Sequence, residues 1–342
     1  MKLDLMTGGL PLRSIQQLAR QAQDAGFAGL VITEAGRTAY LSCAAAALAA
    51  DIDILTGVAV AFPRSPMVTA QTAWELADAS GGRFRLGLGT QVRAHIERRY
   101  ASPFDPPGPR MRDYVLALRA CFDAFRTGTP LDHHGPFYDL SLLPALWSPG
   151  PIDAPDPPID LAAVNPWMLR AAGQHADGVH IHPLNTTTYL TETVRPELTA
   201  GADAAGRSLD GFEIIVPAFI VVGDTESARA RWRELARMQI AFYGSTPNYA
   251  FIFEQLGHDG TTPALRAHQK AGDIDGMSGV ITDDLLTNFI IEGTWASIAD
   301  AIAERYQGFA TRVVNYFGAI AWTEEPHELH RWLDVTRALA SV

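Results

Sequence analysis

Along the chain one rhythm recurs: an apolar run rich in Val, Ile or Leu, a polar or glycine-rich turn, then a stretch with helical periodicity. Such alternation predicts βα units, in which each strand is buried between a neighbour and a covering helix. The strands predicted in this way are Lys2 to Met6, Gly29 to Glu34, Ile54 to Ala61, Phe84 to Gly89, Ile159 to Ala163, Gly178 to His182, Phe212 to Val222 and Arg312 to Phe317. Helices are predicted over 11–26, 40–50, 66–80, 109–127, 166–176, 187–206 and 224–242, with a last pair over 294–307 and 325–340. Eight alternating units in 342 residues point to an α/β fold of the (β/α)8 TIM-barrel type. About 250 residues suffice for such a barrel, so the remainder is expected as insertions.

Two insertions are visible. Residues 129–158 carry Pro130, Pro136, Pro144, Pro149, Pro151, Pro155, Pro157 and Pro158, which exclude helix interiors and central strands and predict a long surface connection after strand four. Residues 243–292, between strands seven and eight, read as several helical pieces and contain Tyr243, Tyr249, Phe251 and Phe253. Those aromatics fit either the core of a helical insertion or the wall of a substrate pocket or dimer contact. No linker divides the chain, so one barrel domain over 1–342 is expected.

Composition narrows the function classes. With 47% hydrophobic residues the chain can bury a full core, and a net charge of −11 disfavours nucleic acid and anionic lipid as partners. Cys43 and Cys121 both fall in apolar helical patterns and read as buried thiols of a reducing compartment. With no signal-peptide pattern and no membrane-length apolar run, a soluble cytoplasmic protein is expected.

In a barrel the loops after the strands form the functional face, which singles out Thr33 and Glu34, Ala59 to Phe62, Gly89 to His95, Val164 to Met168 and His182. The segment GRFRLGLGTQVRAHIERRY (82–100) places Thr90, Gln91, Val92, Arg93 and His95 after a glycine-bearing strand end. From Arg83 to Arg119 there are eight arginines against three acids, a local positive excess that would draw an anionic small molecule or else form ordinary ion pairs. Asn165 and Pro166 carry the cap and first-position signals of a helix, whose free N–H groups suit a phosphate. His180 and His182 share one side of a strand, but no further ligands join them into a metal motif, so no metal site is expected. Neither a serine nucleophile elbow nor an activated cysteine is evident. A chain without its own acid–base set suits a cofactor that brings its own reactivity.

These segments together resemble the bacterial luciferase-like monooxygenase superfamily, in its coenzyme F420-dependent oxidoreductase branch. The resemblance is carried by AGFAGLVITE (25–34), TGVAVAFPRSPMVTAQTAWELADASGGRFRLGLGTQVRAHIERRY (56–100), PPIDLAAVNPWMLRAAGQHADGVHIHPL (157–184) and EGTWASIADAIAERY (292–306). It implies the same barrel, with a deazaflavin, or alternatively FMN, held at the strand ends.

By that resemblance, Ala59 and Val60 match a bulge with a non-prolyl cis peptide that supports the tricyclic ring. Thr90, Gln91 and Val92 match the loop beside it, and His95 a position that reaches the cofactor. Val164 and Asn165 match the phosphate-binding pair, with Met168 just beyond. Glu34 and His182 match polar positions facing the ring and are the expected catalytic residues, the proton source being Glu34, His182, His95, a Tyr or water. The anionic tail is expected at Arg93, Arg98 or Arg99. Two positions depart from the pattern: Ala35 stands where some members have His, and Val92 where some have a Glu proton donor. The implied reaction is hydride transfer between reduced F420 and a C=C, C=N or C=O bond of a small organic or natural-product substrate. The alternatives are an FMN-dependent monooxygenase using O2, a metal-dependent barrel hydrolase, or a non-catalytic ligand-binding barrel. The resemblance further implies a separate reductase that supplies reduced cofactor, and it permits a homodimer.

Overall fold

The computed structural model describes residues 1–341. The eight barrel strands are β1 (Lys2–Thr7), β2 (Gly29–Ile32), β3 (Asp53–Thr56, resumed at Ala59–Val60), β4 (Phe84–Gly89), β5 (Ile159–Ala162), β6 (Gly178–His180), β7 (Glu213–Val222) and β8 (Arg312–Asn315). Each pairs in parallel with the next, and pairings of β6 with β7, β7 with β8 and β8 with β1 close the ring. This is the closed (β/α)8 barrel that the alternation predicts.

Outward-facing residues such as Leu3, Leu5, Leu30, Ile32, Leu86 and Leu88 pack in the main core with the surrounding helices. The inward-facing set is layered. Met6, Val31, Leu55, Ile215 and Val314 form an apolar middle, flanked by Tyr316. Nearer the N-terminal ends of the strands lies a charged layer, in which Arg312 bonds Asp4 and Asp53, and Arg85 forks Asp160 at 3.0 and 2.6 Å.

Strand three departs from the expected continuous run. Leu55 sits opposite Arg85 and Ala59 opposite Leu88, so four steps on β3 face three on β4. The extra residue is accommodated by a bulge at Gly57 and Val58, which are joined by a cis peptide. The family resemblance had placed that linkage at Ala59 and Val60, two residues downstream. A second correction concerns 243–292: its last residues are not helical, because Ile290–Gly293 forms a short parallel strand along the upper half of β7, from Phe219 to Val222. The proline-rich stretch is a surface connection as expected, carrying a two-residue hairpin that pairs His133 and His134 with Leu140 and Asp139. No helix among the described residues is long and apolar enough to cross a membrane.

Candidate active site

The C-terminal ends of β2, β3, β4, β5 and β6 follow one another around the barrel, which brings Glu34, Val60, Thr90, Val164 and His182 to successive points of one rim. The geometry at each point is specific.

Glu34 lies just beyond β2, and its side chain is only 4% exposed. One carboxylate oxygen accepts from the Val60 N–H at 2.7 Å and from Arg64 Nη1 at 2.9 Å; the other accepts from Arg64 Nη2 at 2.5 Å. Arg64 also donates to the Val60 carbonyl at 2.9 Å, and its guanidinium stands 4.9 Å over the Tyr40 ring. Burial pushes the Tyr40 phenol up, so it stays protonated.

His182 is half-buried beyond β6, with its ring against Tyr243 and Tyr249 at centroid distances of 4.7 and 4.3 Å. Burial pushes its pKa down to about 3, and its Nδ1 accepts from the Leu184 N–H at 3.1 Å. A neutral imidazole whose Nδ1 accepts carries its proton on Nε2, so His182 presents a hydrogen-bond donor there. The backbone beneath is fixed by Asn185, whose amide donates to the carbonyls of His182 and Pro217, each at 3.0 Å. Tyr243 and Tyr316 share a hydrogen bond of 2.6 Å, and burial raises both phenols. Of the aromatics of the helical insertion, Tyr243 and Tyr249 therefore contact a site residue. Phe253 is buried against Phe289 in the insertion's own core.

After β4 the chain turns sharply. Gln91 adopts a left-handed φ of 56°, and its side chain accepts from the Val92 N–H at 3.1 Å. Thr90 is partly buried, whereas Gln91, Val92, Arg93 and His95 are exposed. Arg93 is held by Asp105 and Glu97, and Arg99 donates to the Ala35 carbonyl at 2.6 Å. Among the described residues Arg98 forms no ion pair.

Beyond β5, Asn165 caps the helix Pro166–His175, its side chain accepting from the Met168 N–H at 3.0 Å. Pro166 at the first helical position has no N–H, and the amides of Val164 and Asn165 take no partner among the described residues. Met168 is buried beneath this turn. The Tyr189 hydroxyl donates to the Val164 carbonyl at 2.7 Å, which fixes the peptide plane that presents the Asn165 N–H.

Sequence reasoning did not single out Arg64, Tyr189 or Tyr316. Arg64 was visible only as part of an RSP turn, Tyr316 only as an alternate residue of the last strand, and Tyr189 carried no signal. No group of three or more His, Cys, Asp or Glu among the described residues is placed to hold a metal ion, and His180 is buried inside the barrel.

Residues 2–312 match the model of the luciferase-like monooxygenase family. The chain belongs to that family. An uncharacterized protein of Mycobacterium tuberculosis is 37% identical over 326 residues, covering 93% of this chain and 94% of that one. A 5,10-methylenetetrahydromethanopterin reductase of Archaeoglobus fulgidus is 28% identical over 310 residues, 88% of each chain. The coenzyme F420 dependent tetrahydromethanopterin reductase from Methanopyrus kandleri superposes with a TM-score of 0.81 at 21% identity, covering 99% of this chain and 98% of that one, a likeness of fold. The luciferase-like monooxygenase family and these named reductases are oxidoreductases.

Proposed function

We propose that this protein is a coenzyme F420-dependent oxidoreductase acting on a C=C, C=N or C=O bond of a small organic or natural-product substrate. The observation that carries the reading is the pairing, on adjacent strand ends, of unengaged amides at Val164 and Asn165 with a neutral N–H donor at His182. The first suits a phosphate and the second a ring or substrate carbonyl. Similarity to a named 5,10-methylenetetrahydromethanopterin reductase over most of both chains supports it.

When bound, the deazaflavin supplies or accepts the hydride, as a cofactor with its own reactivity does. The chain's residues would bind, orient and exclude water. Val164 and Asn165 would hold the phosphate, with Met168 packed beneath. Thr90, Gln91 and Val92 would flank the ring on one side, and Ala59 and Val60 would support it. Of the three arginines considered for the anionic tail, Arg93 is already paired and Arg99 is tied to Ala35, which leaves Arg98, with His95 nearby. Both oxygens of Glu34 are occupied by Arg64 and Val60, which supports a structural role for it in place of the expected catalytic one. The half-buried O–H groups of Tyr243 and Tyr316 and the His182 N–H are among the other hydrogen-bond donors at this face. A separate reductase or dehydrogenase would return the cofactor to its reduced state.

Titration of the purified protein with F420 and with FMN, read by fluorescence quenching, tests the assignment. Saturable binding of F420 in preference to FMN is expected; binding of neither overturns it. One feature favours a second reading, an FMN-dependent monooxygenase: Ala35 and Val92 leave the rim without the His and Glu of some deazaflavin enzymes. Oxygen uptake that depends on reduced FMN would establish that reading in place of the first.

A further inference from the structure

Val60 is 3% exposed, so its backbone N–H and C=O must find partners inside the protein. In a strand, successive residues point these groups to opposite sides. Ala61 donates its N–H to the Gly89 carbonyl at 3.1 Å, on the β4 side. The groups of Val60 therefore point the other way, toward β2. But the β2 ladder ends at the Ile32–Thr56 pair, below the bulge, and no strand continues beside Val60. What stands there instead is an ion pair: a carboxylate that accepts the Val60 N–H and a guanidinium that donates to the Val60 carbonyl. One acceptor and one donor, fixed to each other by two further hydrogen bonds, replace the edge of a missing strand.

We propose that Glu34 and Arg64 are positioning residues that act as a surrogate strand, clamping the Val60 peptide and fixing the bulge of β3 at the mouth of the barrel. Removing two charges from water is costly, and a water molecule or a continued ladder would satisfy one peptide group at less expense. The ion pair holds the peptide in one orientation that a mobile water does not. It draws three separate segments to one point, since Glu34 follows β2, Val60 ends β3 and Arg64 leads into the helix Pro66–Ala79. The Tyr40 ring lies beneath the Arg64 guanidinium, and Ser65, the next residue, caps the following helix through the Val68 N–H. The clamp itself stands on the geometry alone; its consequence for cofactor affinity rests on the function proposed above.

The test uses the full chain without added ligand. Hydrogen–deuterium exchange is followed for peptides covering 57–62 and, as reference, for β1 and β8, in wild type, Glu34→Ala, Glu34→Gln and Arg64→Lys. Glu34→Ala removes the acceptor, Glu34→Gln keeps an acceptor without the charge, and Arg64→Lys keeps the charge without the fork. Exchange at 57–62 is expected to accelerate about tenfold in Glu34→Ala and less in Glu34→Gln, with the reference peptides unchanged. Unchanged exchange at 57–62 overturns the clamp, and so does equal acceleration everywhere, which would make the pair a general stabiliser. If Glu34→Ala does not fold, Glu34→Gln and Arg64→Lys decide by the same local comparison. In the cofactor arm, F420 affinity is expected to fall in the same order as protection at 57–62. A wild type that binds neither F420 nor FMN refutes the proposed function and leaves the exchange result to judge the clamp.

Discussion

Arg312 in the last barrel strand donates from Nε and Nη2 to the two carboxylate oxygens of Asp4 in the first, each at 2.7 Å, and both side chains are fully buried. A third bond, to Asp53 at 2.7 Å, ties the same guanidinium to β3. The pair links strands 308 residues apart in sequence at the seam where the barrel closes. Burial opposes ionisation of Arg312, but the two carboxylates prevail and keep it charged. Losing Asp4 leaves the buried guanidinium only partly compensated, by Asp53, at a cost of up to about 3–5 kcal/mol. Asp4→Ala is therefore expected to lower the unfolding free energy by roughly that amount in urea titration. A loss below about 1 kcal/mol, the range of a surface pair, would show that the seam does not depend on it.

His180 gives stability a defined pH dependence. It is buried at the barrel centre beside Asp160, Arg85 and Arg312, with its Nε2 3.9 Å from the Asp160 carboxylate and without a hydrogen bond. Burial first, and the two arginines second, push its pKa down from 6.5 to about 3. Between those values the unfolded chain binds a proton that the folded chain refuses, so stability falls as pH drops through that window. The slope approaches about 1.4 kcal/mol per pH unit for one such group. His180→Asn is expected to flatten the fall in stability between pH 7 and pH 5; His182, shifted in the same direction, leaves some slope behind. Equal slopes in urea unfolding of the two proteins would refute the assignment.

How much of this was legible in the sequence follows from range of interaction. The barrel was readable because a parallel strand covered on both faces is written as an uninterrupted apolar run, and all eight runs are strands. The bulge was not legible in the pattern itself, since TGVAVAF reads as one such run and the slip exists only relative to β4; the family resemblance implied it, two residues downstream of where it lies. Ile290–Gly293 escaped because a four-residue strand beside helical pieces carries too short a period. Asn165 as a helix cap was a local signal and is found as one. The place of Glu34 was visible, but its partner Arg64 lies 30 residues away and is joined to it only by the fold. The position of His182 was likewise visible, while its tautomer depends on the Leu184 N–H.

Gly87 is expected to tolerate no side chain. A Cβ there would fall 2.0 Å from the Thr56 carbonyl and 2.5 Å from His180 Nε2. The carbonyl accepting strand and the packed imidazole have nowhere to retreat, so Gly87→Ala should cost about 1–3 kcal/mol or prevent folding. Gly36→Ala is the control, because nothing lies within 4 Å of its Cβ position. Thermal unfolding of both variants decides the point: comparable melting temperatures would show that the barrel interior yields where it is expected to be rigid.

The proposed anion site can be tested without disturbing the helix that would build it. Asn165 serves twice: its side chain caps Met168, and its backbone N–H, with that of Val164, remains available to a ligand. Asp caps a helix about as well as Asn, so Asn165→Asp should leave thermal stability within a few degrees of wild type. It also places a negative charge beside the two amides, where a phosphate would have to sit. Repulsion of one charge at this distance, at an exposed position, is worth about 1–2 kcal/mol, or roughly a fivefold to thirtyfold loss of affinity. Fluorescence titration with F420 is expected to show that loss in Asn165→Asp, whereas Asn165→Ser, which caps without charge, should stay within a few fold of wild type. Equal affinity in Asn165→Asp and wild type would mean that the phosphate binds elsewhere on the rim.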